Sequence, residues 1–109
     1  MAAHRWWLTR VAQYEVLALA QDMTIARDEF LRSLPAAVDH AEFRIAGNEI
    51  RPLAPDGKWR IVITALADLS IGMIRLPRHH VEIFLTDFGV EETRLFLARF
   101  ELYFRRGGG

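Results

Sequence analysis

The chain has 109 residues and no cysteine, which excludes disulfides, thiolate metal sites, iron–sulfur clusters and cysteine nucleophiles together. Serine occurs only at Ser33 and Ser70, neither in the sharp Gly-x-Ser-x-Gly turn that exposes a catalytic hydroxyl, and asparagine only at Asn48. A Gly-rich phosphate loop, a Walker-type run and a His-Glu-x-x-His helix are all missing. Lysine is nearly missing as well: Lys58 is the single one among 14 basic residues, which balance 14 acidic ones. The two halves of the chain are nearly neutral, since residues 1–54 carry six basic against seven acidic residues and residues 55–109 carry eight against seven. Generic nucleic-acid binding draws on a clustered cationic face, so this even distribution disfavours a nucleic-acid partner.

Long apolar runs are lacking too, and nothing approaches the ~18 residues of a membrane-spanning helix. Ala18-Leu19-Ala20 before Gln21 has the small-residue form of a signal-peptidase site. Thr9, Arg10, Gln13 and Glu15 break the stretch in front of it into pieces too short for an apolar h-region. With no thiols, no leader and no span, a cytoplasmic protein without a membrane partner is expected, and no cofactor or metal is implied.

What is present is the material of a single folded domain. Apolar residues make up 51% and charged residues 26%, far from the composition of a disordered chain. A chain of this length buries roughly 65% of its unfolded surface, enough for one core and too little for two domains.

Alternation of aromatic and β-branched types predicts a strand over residues 5–11. From Gln13 to Gln21 the pattern fits both periods, and the alanine and leucine content favours a helix. A second helix is expected over Ile25 to Leu34, capped by Asp22 or Thr24 and ended by Pro35. Glu42–Ala46 and Glu49–Leu53 flank Gly47-Asn48 as a hairpin, with Pro52 ending the second strand or holding it at an edge. Pro55-Asp56-Gly57 reads as a turn. Trp59–Ala67 is apolar on both faces, which predicts a strand covered on both sides or one whose second face meets another chain. Ile71–Leu76 reads as a further strand, turned by Pro77-Arg78 into Val81–Thr86.

The closing segment, Val90 to Arg106, carries Glu91 and Glu92 in its first turn and Arg105 and Arg106 in its last, each sign matching the helix dipole, with Gly107 as a left-handed stop. On a helical wheel Phe96, Leu97, Phe100, Tyr103 and Phe104 share one broad apolar face. A second stripe, Leu95, Ala98 and Leu102, runs down the opposite side between Arg94 and Glu101 on one flank and Arg99 and Arg106 on the other. These elements together predict an α+β fold: a two-layer sandwich, its antiparallel sheet carrying helices on one face, with a ferredoxin-like arrangement as one solution.

Several clusters could carry function. The Leu95, Ala98 and Leu102 stripe suits a subunit or partner interface. Arg75, Arg78, His79 and His80 around Pro77 could bind an anionic ligand. His79 and His80 point to opposite faces of a strand, so a metal would have to recruit His80 with Glu82 and either Asp39 or His40. Asp68, in an apolar stretch, would have a raised pKa if buried and could then pair with His80 as a catalytic couple. Arg5, Trp6 and Trp7 with Lys58, Trp59 and Arg60 interleave cations and indoles as stacking platforms do. Gly107-Gly108-Gly109 resembles the activated tail of ubiquitin-like modifiers and sulfur carriers, which however extends from a strand. With so few catalytic residues available, the sequence favours a non-enzymatic binding or assembly module that forms a homo-oligomer or takes a protein partner. A small anionic-ligand or carrier protein and a small enzyme are the alternatives.

Overall fold

The computed structural model describes residues 14–108, with backbone alone for 106–108. Five strands form one antiparallel sheet: β1 Glu15–Met23, β2 Phe43–Ala46, β3 Glu49–Pro52, β4 Trp59–Ile71 and β5 Ile74–Thr86, in the spatial order β1-β5-β4-β3-β2. Two helices complete the fold, α1 at Arg27–Ala37 and α2 at Val90–Gly108. The class is α+β. The element order β-α-β-β-β-β-α departs from the β-α-β-β-α-β of a ferredoxin-like layout, because β2 to β5 form an uninterrupted meander and β1 returns to pair with the last strand. Among the described residues no helix is long and apolar enough to cross a membrane.

Alternation sorts the sheet into two faces. Ile50, Trp59, Ile61, Ile63, Val81, Ile83 and Leu85 all point inward and are buried against Phe30, Leu34, Phe100 and Phe104 of the helices. Phe104 stacks 4.7 Å from Phe30 and 4.5 Å from Phe100, so three rings close the seam between α1 and α2. Trp59 sits between Phe43 and Phe96, each centroid 6.4 Å away. It is therefore a core residue rather than part of a stacking platform, and Arg5, Trp6 and Trp7, like the strand expected at 5–11, lie outside the described residues.

Three local expectations are corrected. Residues 15–23 form a strand, not a helix: β5 offers a free edge, and eight residues of β1 pair along it from Glu15 opposite Thr86 to Met23 opposite His79. A register shift between Leu17 and Leu19 leaves Ala18 unpaired and breaks the alternation that would have marked a strand in the sequence. Pro35 does not end α1 but lies in its last turn, where the missing N–H forfeits one bond to Leu31. The helix closes with Val38 and His40 N–H donating to the Leu34 and Pro35 carbonyls, and Asp39 and His40 take the left-handed conformation. Its N-cap is Ala26, without a side-chain cap, since Asp22 is engaged elsewhere; Asp28 and Glu29 meet the dipole instead. Lastly, α2 runs through Gly107 to Gly108. Glycine permits a left-handed stop without imposing one.

Other readings hold. Gly47, at φ 62°, turns β2 into β3, and β3 ends at Pro52. Pro55 and Asp56 turn the chain toward β4, closed by the Gly57 N–H on the Ala54 carbonyl.

The strand expected to turn at Pro77 instead passes straight through it. β4 and β5 form one long hairpin whose tip is Gly72-Met73, with Gly72 at φ 60° and Ile71 opposite Ile74. The register shifts by one between Leu66 opposite Arg78 and Leu69 opposite Leu76, so Ala67 and Asp68 together face Pro77. This is a β-bulge at the one residue of β5 that has no N–H to donate, and it spares the ladder an unfilled acceptor. Beyond Met23 opposite His79 and Glu49 opposite Val62, neither β1 nor β3 accompanies the hairpin. Residues 66–76 thus form a two-stranded arm reaching about 17 Å past the body of the sheet.

Candidate interaction surfaces

The wheel of α2 divides as its sequence predicts except at Tyr103, which is expected on the core face and is 39% exposed. Phe100 and Phe104 are buried, Phe96 and Leu97 are half-buried against the core, and Leu95 and Leu102 on the opposite side are 54% and 66% exposed. The start of the helix is fixed by Gly89: Glu92 accepts its N–H at 3.0 Å, and its carbonyl receives both the N–H and the hydroxyl of Thr93 at 2.9 Å. Arg94 hydrogen-bonds Glu91 one turn back, holding the Glu91 carboxyl below its ordinary range.

The exposed stripe lines a groove of about 600 Å³. Ala37 and Val38 from the end of α1 form one wall, Leu95, Ala98 and Leu102 the other, and Phe88 and Phe96 lie between them. Asp39, carried out of α1 by its left-handed backbone, faces Arg99 at 3.7 Å at the polar edge of the groove. The floor is apolar and the charges sit at the rim. Such a groove has the shape and lining to hold an apolar side chain.

The cluster expected around Pro77 does not converge. Arg78 and His80 lie on the outer face of the sheet, whereas Arg75 and His79 lie on the inner one. His79 donates from Nδ1 to the Ile25 carbonyl at 2.9 Å and ties β5 to the loop before α1. On the other face Asp22 of β1 takes His80 Nδ1 at 2.7 Å and Arg78 at 3.4 Å, with Glu82 3.9 Å from His80 Nε2. A carboxylate thus already occupies the position between Arg78 and His80 that an anionic ligand would need. Asp39 is at the groove rim, far from His80 in the fold, and among the described residues no three His, Asp or Glu side chains gather as metal ligands would. Asp68 is exposed in the bulge, three residues along the ribbon from the register of His80, so the two do not form a couple. Among the described residues no charged or polar side chain is buried.

No known protein family, curated protein or solved structure matches the chain.

The outer face of the sheet resolves the two-sided apolar pattern of β4. Arg60 extends over the Phe84 ring, 4.0 Å from its centroid, and clamps Glu15 with Nε and Nη2 at 3.1 and 3.0 Å while Nη1 reaches Glu49 at 3.1 Å. Arg51 adds a second bond to Glu49 at 2.8 Å. Phe84 and Val62 are half-buried, and the Phe84 ring lies under a lattice of ion pairs drawn from three strands, which takes the place of a second helical layer.

A further surface escaped the sequence reading. On the arm, the bulge returns Leu69 and Ile71 to the same face as Leu66, Ile74 and Leu76; in unbroken alternation from Leu66 they would point the other way. Ile71 and Ile74 are 58% and 60% exposed, and Met73 at the tip is fully exposed. The symmetric spacing of these residues about Gly72-Met73 was the available signal, but Pro77 concealed it.

Proposed function

We propose that the protein is a non-enzymatic assembly module that associates with a second copy of itself along α2. The observation that supports this reading is the stripe of Leu95, Ala98 and Leu102, two exposed leucines three and four residues to either side of a small alanine on the open wall of the groove. That spacing suits an antiparallel helix pair crossing at Ala98. The alanine lets the helices approach, and a two-fold axis there sets Leu95 of each copy against Leu102 of the other. Arg94 and Glu101 on one flank then meet their opposites across the axis.

Sedimentation equilibrium of the wild type and of Leu102→Asp tests the proposal, with circular dichroism as the check on folding. A wild-type assembly that Leu102→Asp dissociates into folded subunits supports it. Wild type and variant sedimenting as the same folded monomer would refute it.

A further inference from the structure

The β4–β5 arm has one face that the rest of the described chain does not explain. Leu66, Leu69, Ile71, Ile74 and Leu76 line it, with Arg78 at its base opposite Leu66 and paired with Asp22, while Ser70, Arg75 and His79 occupy the other side. A two-stranded ribbon is marginal in water by itself, and this one extends past the last buried residues of the sheet, Ile63 and Val81. Tyr14, where the described chain begins, sits at the opposite end of the sheet beside Asp87.

We infer that this face is a second self-association surface, on which the arms of two copies stack face to face about a two-fold axis. Three features select a second copy as the occupant. An isologous contact sets the same patch against itself, so a charge near the two-fold axis would meet its like; from Leu69 through the tip to Leu76 this face is aliphatic, and Arg78 at its base is held by Asp22. The face and Met73 expose roughly 500 Å² per copy, so two stacked arms bury about 1,000 Å², the level at which a specific interface is expected. The one-sidedness matters as well. A lipid-inserting tip is apolar all round, whereas here Ser70 and Arg75 line the reverse face next to the tip and Asp68 follows in the bulge. Stacking turns two exposed ribbons into a small two-layer sandwich about 10 Å thick, closed on its apolar side.

The inference goes beyond the α2 contact and does not depend on it. With both contacts formed, the assembly exceeds a dimer, and each contact can be removed separately. Ile74→Glu places a charge on the exposed arm face without touching the core. In sedimentation equilibrium, Ile74→Glu is expected to lower the wild-type mass by one level of association, Leu102→Asp by the other, and the double variant to be a monomer. An Ile74→Glu variant with the mass of the wild type would overturn the arm contact whatever Leu102→Asp does. A loss seen with Ile74→Glu alone would uphold the arm and refute the α2 reading.

A second measurement uses the cysteine-free background. Ile71→Cys, on the apolar face, is expected to cross-link into dimers with a short bis-maleimide, and Arg75→Cys, on the reverse face, to remain monomeric on a denaturing gel. Equal cross-linking from both faces would count against stacking. A wild type that is monomeric in buffer yet floats with phosphatidylcholine vesicles, when Ile74→Glu does not, would replace the second copy with a lipid surface and overturn the inference.

Discussion

Replacing Arg60 with methionine tests whether the ion lattice, rather than a second apolar layer, stabilises the outer face of the sheet. Methionine keeps an aliphatic stem over Phe84 and removes three charge-assisted hydrogen bonds, two to Glu15 and one to Glu49. Arg60 is only 20% exposed, but its partners are 40% and 34% exposed, so solvent screens them and each pair is worth no more than about 1 kcal/mol. The guanidinium over Phe84 adds about 0.5 kcal/mol. Together these give a loss of about 2 kcal/mol at neutral pH, since Glu49 retains Arg51.

The same bonds make the loss depend on pH. Arg60 holds the Glu15 carboxyl below its ordinary value of 4.5, and Arg51, then Arg60, do the same for Glu49. A carboxylate whose pKa is lower in the folded state stabilises the fold fully above the unfolded value. It loses that contribution as pH falls through the folded one. The gap between wild type and Arg60→Met is therefore constant from neutral pH to about 5 and closes progressively below about 4.5. Urea titrations at neutral pH and at about pH 3 measure it. A gap under about 0.5 kcal/mol at neutral pH, or one that persists unchanged in acid, would refute the argument.

Two further substitutions probe the interior and the turns. Phe30→Ala, which empties a fully buried position between Phe100 and Phe104, is expected to cost 3–5 kcal/mol, about the range for such truncations, seen as a lower urea midpoint at constant slope. Glycine positions separate crowding from backbone strain: a Cβ at Gly57 would lie 2.2 Å from Pro52 Cγ, whereas one at Gly72 meets nothing within 4 Å. Gly57→Ala should cost more than about 2 kcal/mol by overpacking and Gly72→Ala about 1 kcal/mol through its left-handed φ alone, and equal losses in thermal melts would contradict that distinction.

The parts of the fold that could be read from the sequence are those fixed by local chemistry. The Gly47-Asn48 hairpin, the turn at Gly57 and the amphipathic wheel of α2 each depend on residues within a few positions of one another, and all three form as expected. β1 depends on β5, some sixty residues away, and its unpaired Ala18 erases the alternation that would have separated strand from helix. Long-range pairing decided an element whose own residues fit both periods. The candidate site divides along the same line. Leu95, Ala98 and Leu102 stand where a helical wheel puts them, and alternation alone sets His79 and His80 on opposite faces, whereas the run of β5 through Pro77 to Arg75 and the carboxylate of Asp22 between Arg78 and His80 follow only from register.

Pro77 shows why register carries so much here. Read locally, a proline followed by an arginine between two apolar runs is a turn, and its absent N–H argues against a strand interior. β4 answers with one extra residue at the same level, and the two irregularities cancel: the proline has no ladder bond to make, and the bulge asks for none. The compensation does more than rescue the ladder. Shifting β4 by one residue decides that Leu69 and Ile71 join Ile74 and Leu76 on one face instead of opposing them, as unbroken alternation from Leu66 would have them do, so the bulge gives the arm an apolar side and a polar side. Deleting Asp68 would leave Ala67 alone opposite Pro77, with Leu69 and Ile71 still opposite Leu76 and Ile74 and on the same face as Leu66. That deletion separates the bulge from the sidedness of the arm. If the apolar face is what a second copy recognises, association survives the deletion, and its loss in a folded variant would count against that face.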